Sequence, residues 1–253
     1  MDQSHSEVSG RGQRAPGESL ARALLLFGLL AGCSGSASPA ESGAAGAAGE
    51  SGAGAGNDAA YPADLPYARS VESFEPGDGA GYNEQKLPDV ALGPPGGKGN
   101  SAGSLDVVSL GAGGAIVLGF GDKALSDGPG PDLVVFENPF WPGGDATQVY
   151  AELGEVSVSD DGKTWQTFPC DTVGDGQGHF PGCAGVTPTL KYDPVALVPL
   201  DPAQTGGDAF DLADLGVSRA RFVKIHDLET LEVAGTSTGF DLDAVGLVNF
   251  NVE

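Results

Sequence analysis

Apolar and polar positions alternate with a period of two in short runs across the C-terminal three quarters of the chain, the spacing of half-buried strands. The best-defined run is Val156–Phe168, VSVSDDGKTWQTF. Two segments rich in β-branched and aromatic residues flank an acidic, glycine-containing tip, which predicts a hairpin. A three-residue loop sets Trp165 opposite Ser157, whereas a four-residue loop, Asp160 to Lys163, sets it opposite Val158. Register follows the face that must be buried, so the pattern favours the longer loop, with Trp165 and Val158 in the seam between two layers.

Other runs fill out the same picture. Arg69–Phe74 reads as a first strand, followed by turn-rich sequence as far as Lys98. In Leu105–Phe120, LDVVSLGAGGAIVLGF, apolar runs on both sides of Gly111–Gly114 predict a second hairpin. Ile116, Leu118 and Phe120 share one face, and Ala115, Val117 and Gly119 the other. Neither face is polar, so the strand is expected to be covered on both sides. Asp132–Glu137 is a further strand, ending in Asn138-Pro139-Phe140-Trp141-Pro142. Val195–Leu200 fits an edge strand because of Pro199, and Asp208–Leu215 one helical turn capped by Asp208. In Ala220–His226, Phe222 and Lys224 face one way and Val223 and Ile225 the other; Phe240–Phe250 is the last run. Eight to ten strands with almost no helix make an all-β sandwich.

The N-terminal quarter has a different pattern. Arg11, Arg14 and Arg22 precede the apolar run Ala23–Leu30, too short to span a bilayer, and Leu30-Ala31-Gly32-Cys33 follows. This is the secretory signal pattern, and its end resembles the lipobox of bacterial lipoproteins. The resemblance implies a diacylglycerol on Cys33 and cleavage before it, with Ser34 directing the protein to the outer membrane. An ordinary signal peptide is the alternative. Residues 1–32 are thus expected to be removed. Residues 33–60, nearly all Gly, Ala and Ser, read as a flexible tether, and residues 61–253 as the folded domain.

Charge narrows the partners. The chain has 12 basic and 35 acidic residues, a net −23. Three of each lie in residues 1–32, so the mature chain keeps the same net charge. Such a field repels phosphate backbones, so no nucleic-acid partner is expected. Cys170 and Cys183 remain in an exported chain and are expected to form a disulfide across a glycine-rich loop; two free thiols are the alternative.

Three segments in one order, SDDGKTW at Ser159–Trp165, ARFVKI at Ala220–Ile225 and a closing strand, resemble the discoidin, or coagulation-factor type-C, family. The SLGAGGAIVLGF stretch is similar to its early strand–turn–strand segment. The resemblance implies a galactose-binding-like jelly-roll sandwich whose end loops take glycans, lipids or proteins. A closer likeness is to bacterial cell-surface lipoproteins with DGPGPD–ENPFW and GFDLDAV segments, found here at Asp127–Asp132, Glu137–Trp141 and Gly239–Val245. The chain lacks the cysteine pair that ties the termini of animal members, and no ligand-contact residue transfers position by position.

Candidate chemistry is sparse. The mature chain has two histidines, His179 and His226, with no nucleophile elbow or zinc-binding helix motif. No enzyme is therefore expected, although paired carboxylates leave a glycoside hydrolase as an alternative. Calcium suits the acids better. Asp127 and Asp132 bracket a tight turn, and Asp241 and Asp243 lie two apart on a strand, on the face of Val245 and Leu247. The same acids could instead cap turns. Phe140 and Trp141 beside Glu137 and Asn138 form a candidate sugar site, the ring stacking while the polar pair bonds hydroxyls; aromatics sealing the core are the alternative. The expected function is a surface-anchored module binding a glycan or other surface polymer, with an adhesive protein that binds a protein partner as alternative.

Overall fold

The computed structural model describes residues 61, 62, 64–230 and 238–253; Cys33, the signal segment and the tether lie outside them. The described residues form an all-β sandwich with a single four-residue α-helix, Pro202–Thr205. The strands are β1 (Ser70–Glu75), β2 (Val108–Ser109), β3 (Ala115–Gly119), β4 (Lys123–Ser126), β5 (Leu133–Phe136), β6 (Gly154–Ser159) and β7 (Gln166–Thr167). They continue with β8 (Asp208–Phe210), β9 (Arg219–Ala220), β10 (Phe222–Asp227), β11 (Asp241–Leu242), β12 (Ala244–Leu247) and β13 (Phe250–Val252). One layer is a five-stranded antiparallel sheet in the order β1-β3-β10-β6-β7. The rest forms shorter antiparallel ladders, β12-β5-β8, β13-β4-β9 and β11-β2.

Alternation sets the core. Ile116 and Leu118, Val156 and Val158, and Val223 and Ile225 point inward from the large sheet and pack with Leu133, Val135, Val245 and Leu247. The opposite side of β5 is buried as well, with Val134 and Phe136 against Leu65, Tyr67 and Leu200. That double burial explains why LVVF carries no polar position.

The hairpin at Val156–Phe168 exists, but in another register. Ser157 pairs with Thr167 and Val158 with Gln166, so the connection is longer than the four residues expected and Trp165 falls beside Ser159. Asp161 explains the longer turn. Its Oδ1 accepts from the backbone N–H of Thr164 at 2.7 Å and of Lys163 at 2.8 Å. Those bonds push its pKa down to about 2, and Gly162 supplies the positive φ of 68° that the turn needs. The expectation of Trp165 in the seam is therefore corrected: Phe168 takes that place, donating its N–H to the Val156 carbonyl and packing 5.0 Å from the Phe210 ring. Trp165 lies on the outer face.

Four further expectations change. β2 and β3 do not pair with each other: β2 joins β11, while β3 joins β1 and β10. The glycines between them carry the chain from one sheet to another. Ala115 and Val117 of β3 are only partly covered on their outer side. Val195–Leu200 is not a strand, and Val195 is exposed. Asp208 opens β8, and the short 3₁₀ turn after it, Leu212–Leu215, is capped by Asp211. The Cys170–Cys183 disulfide is present. Closing a loop of 13 residues' separation, it stabilises the fold by about 3 kcal/mol on the chain-entropy model.

Candidate functional site: a sheet-face groove and a buried acidic end

The outer face of the large sheet is set out in cross-strand rows. Glu75, Ala115, His226 and Glu155 stand side by side on β1, β3, β10 and β6. The next row is Ser73, Val117, Lys224, Ser157 and Thr167. Because β3 contributes only small side chains to these rows, the middle of the face is a trough between taller neighbours. It encloses about 480 Å³, with Trp165 on its wall. The Lys224 Nζ lies 4.8 Å from the centroid of the Trp165 ring, a cation–π contact that holds the half-buried indole against the sheet. Lys224 and His226 stand between Glu75 and Glu155 there, so the groove carries basic as well as acidic side chains on a strongly acidic protein.

The polar alternation of β10 was readable in the sequence. The missing information was which strands flank it and how long the turn before Trp165 is, so Trp165, Glu75 and Glu155 did not stand out as one surface.

A different environment surrounds Glu137 at the end of β5. Glu137 is 2 % exposed and Asp241 8 %. The Asp241 N–H donates to Glu137 Oε1 at 3.4 Å, and Asn138 Nδ2 donates to Asp241 Oδ2 at 3.1 Å. Glu137 Oε2 and Asp241 Oδ1 are buried without a hydrogen-bond partner. Glu152, 6 % exposed, stands beside them. Burial first, then the charges of Asp241 and Glu152, hold the Glu137 carboxyl well above the usual carboxylate range. Burial also pushes Glu152 up to about 8, with Asp241 and Asp227 adding to it. Asp241 is raised by burial, against the opposing bond from Asn138. Nearby, Asp243 accepts from the Gly96 N–H at 2.9 Å, keeps Oδ2 unpartnered, and is pushed up to about 7, mainly by burial.

The residues expected in separate sites thus come together differently. Glu137, Asn138 and Asp241 meet in one buried cluster. Asn138 spends its two N–H groups on the Ser104 carbonyl and Asp241, so those donors are not free for a sugar hydroxyl. Phe140 stacks on Tyr150 at 5.3 Å, and Trp141 is half-buried with its backbone N–H bonded to the Asn100 carbonyl. Asp241 and Asp243 do not continue onto the face of Val245 and Leu247, because the chain changes ladder between β11 and β12 at Asp243. Asp127 and Asp132 do approach each other, with Asp211, their carboxylate oxygens within 4.8 Å. Asp132 is already occupied there, accepting from the N–H groups of Gly128 and Leu212 and from Asn249 Nδ2. Sequence reading passed over Glu152 and Asp211, since neither carries a local motif.

Comparison with known proteins adds little. No family model matches the chain, and no curated protein matches it significantly. A solved structure of a glycoside hydrolase is similar over 75 % of this chain and 30 % of that one, at 15 % identity and a TM-score of 0.27. The chain therefore spans under a third of that enzyme's length. At this TM-score the likeness bears on neither fold nor chemistry.

Proposed function

We propose that the protein is a non-catalytic binding module, lipid-anchored through Cys33 at the bacterial outer membrane, which holds a neutral glycan on the outer face of its large sheet. The observation that carries this reading is Trp165 on the wall of an open groove lined by polar and charged side chains. An indole offers a flat apolar surface to a sugar ring, while Lys224, His226 and the two glutamates can bond its hydroxyls. A neutral polymer avoids the repulsion that the protein's net charge imposes on an anionic one. The discoidin-type sequence resemblance is in keeping with a glycan ligand.

Affinity electrophoresis in gels containing neutral polysaccharides tests the reading. Trp165→Ala is expected to lose at least about tenfold in affinity, the equivalent of one stacking contact, with its melting temperature little changed. Trp141→Ala is expected to bind like the wild type. Equal retardation of Trp165→Ala and wild type, or release of reducing sugar, would remove the proposal.

A further inference from the structure

The groove leaves the acidic end unexplained. Glu137, Asp241 and Glu152 are three acids in a buried space, and among the described residues no ion pair reaches any of them. The seven residues LEVAGTS between Thr230 and Thr238 contain no basic side chain by sequence. Buried carboxylates without a partner are costly, and two of their oxygens, Glu137 Oε2 and Asp241 Oδ1, have none. The Asp127–Asp132–Asp211 trio lacks this feature, since its one buried member is fully bonded.

We propose that Glu137 and Asp241 are the carboxylate ligands of a buried divalent cation, calcium by the all-oxygen chemistry of the donors, with Glu152 adding negative charge to the site. The Asn138 amide fixes the Asp241 carboxylate by its second oxygen, leaving Oδ1 for the ion. The inference is independent of the sheet-face groove, which lies on other residues.

The test is thermal unfolding of the purified protein after chelation, with and without calcium, joined to terbium luminescence. Calcium at a hundredfold excess over its Kd is expected to raise the melting temperature by about 5 °C or more, reversibly with chelator. Glu137→Gln and Asp241→Asn are expected to abolish the rise, and Asp127→Asn to leave it intact. Terbium in the wild type is expected to give emission that calcium displaces. That emission should weaken in Tyr150→Phe, because Tyr150 stands two residues before Glu152, and its phenol, raised mainly by burial, also feels the charges of Glu152, Asp241 and Glu137. This last variant keeps the acidic cluster whole, so it reports even if the acid variants do not fold. Three results would overturn the proposal: a melting temperature indifferent to calcium, a rise lost in Asp127→Asn but kept in Glu137→Gln, or terbium emission unaffected by calcium.

Discussion

Replacing Asp227 with alanine is expected to lower the stability of the domain by about 4 kcal/mol, read as a fall in the urea midpoint without a change in slope. Asp227 is fully buried at the end of β10 and serves three backbone donors. Its Oδ2 accepts from Gly113 and Glu229, each at 2.9 Å, and its Oδ1 from Phe240 at 2.8 Å. One carboxylate thus ties the β2–β3 connection and the entry to β11 to the end of the large sheet. Alanine removes three charge-assisted bonds and strands the Phe240 N–H beside a ring with no solvent exposure. Relief of the repulsion that Asp227 exerts on Glu152 offsets only a small part. The Asp227→Asn variant keeps one acceptor oxygen and is expected to cost about half as much. A loss below about 1 kcal/mol for the alanine variant would show that the three donors find other partners.

The second large effect is an inverted pH dependence. In the folded state Glu152 is pushed up to about 8 and Asp243 to about 7, and Glu137 and Asp241 are also raised, all with burial as the main cause. The unfolded chain releases these protons at ordinary carboxylate pKa values, about 4. Between about pH 4 and 8 the native state therefore binds more protons than the unfolded one, and stability must fall as pH rises. The contribution is complete below the unfolded pKa values and is lost by about pH 8. Asp161, Asp145 and Asp175, all lowered by hydrogen bonds, have the opposite sign, but their contribution is lost only below the ordinary carboxylate range. In chelator and high salt, which screens the general repulsion, the melting temperature at pH 5 is expected to exceed that at pH 8 by about 5–10 °C. Glu137→Gln should reduce the difference, and so should calcium if it occupies the site. A flat or rising profile over that range would contradict the burial of the cluster.

Much of the fold could be read from alternation. β1, β3, β5, β6 and β10 fall within the expected runs or overlap them closely, and Val156, Val158, Val223 and Ile225 face inward as their spacing requires. The failures have a common cause. A period of two says which residues share a face, but not which face meets the core when an apolar ring lies on each side. Trp165 and Phe168 are three apart and must point oppositely. A single Asx turn at Asp161 decided between them, turning the tryptophan outward. In the same way, GAGG between β2 and β3 resembles a hairpin turn, yet Gly114 lies where any Cβ would collide with the Leu110 carbonyl, so the chain folds tightly and departs to another sheet.

The acids were harder. Asp241 and Asp243 stood out by their spacing, and Glu137 by its place after an apolar run. Their meeting depends on β11 pairing with β2 while β12 pairs with β5, a long-range arrangement with no local mark. Glu152 joins them only because β6 begins beside the same end. Asp132 and Asp208 show the commoner fate of a buried acid, each accepting three hydrogen bonds, at least two of them from backbone N–H groups.

With two tryptophans in the whole chain, the central claim is open to one direct measurement. Labelled protein titrated with the polysaccharide that retards it should be followed through its two indole N–H resonances. Movement of the Trp165 signal while that of Trp141 stays still is the expected result. A stationary Trp165 with Trp141 shifting would place the ligand at the end loops beside Phe140 and Tyr150, and the sheet-face groove would no longer be the binding site.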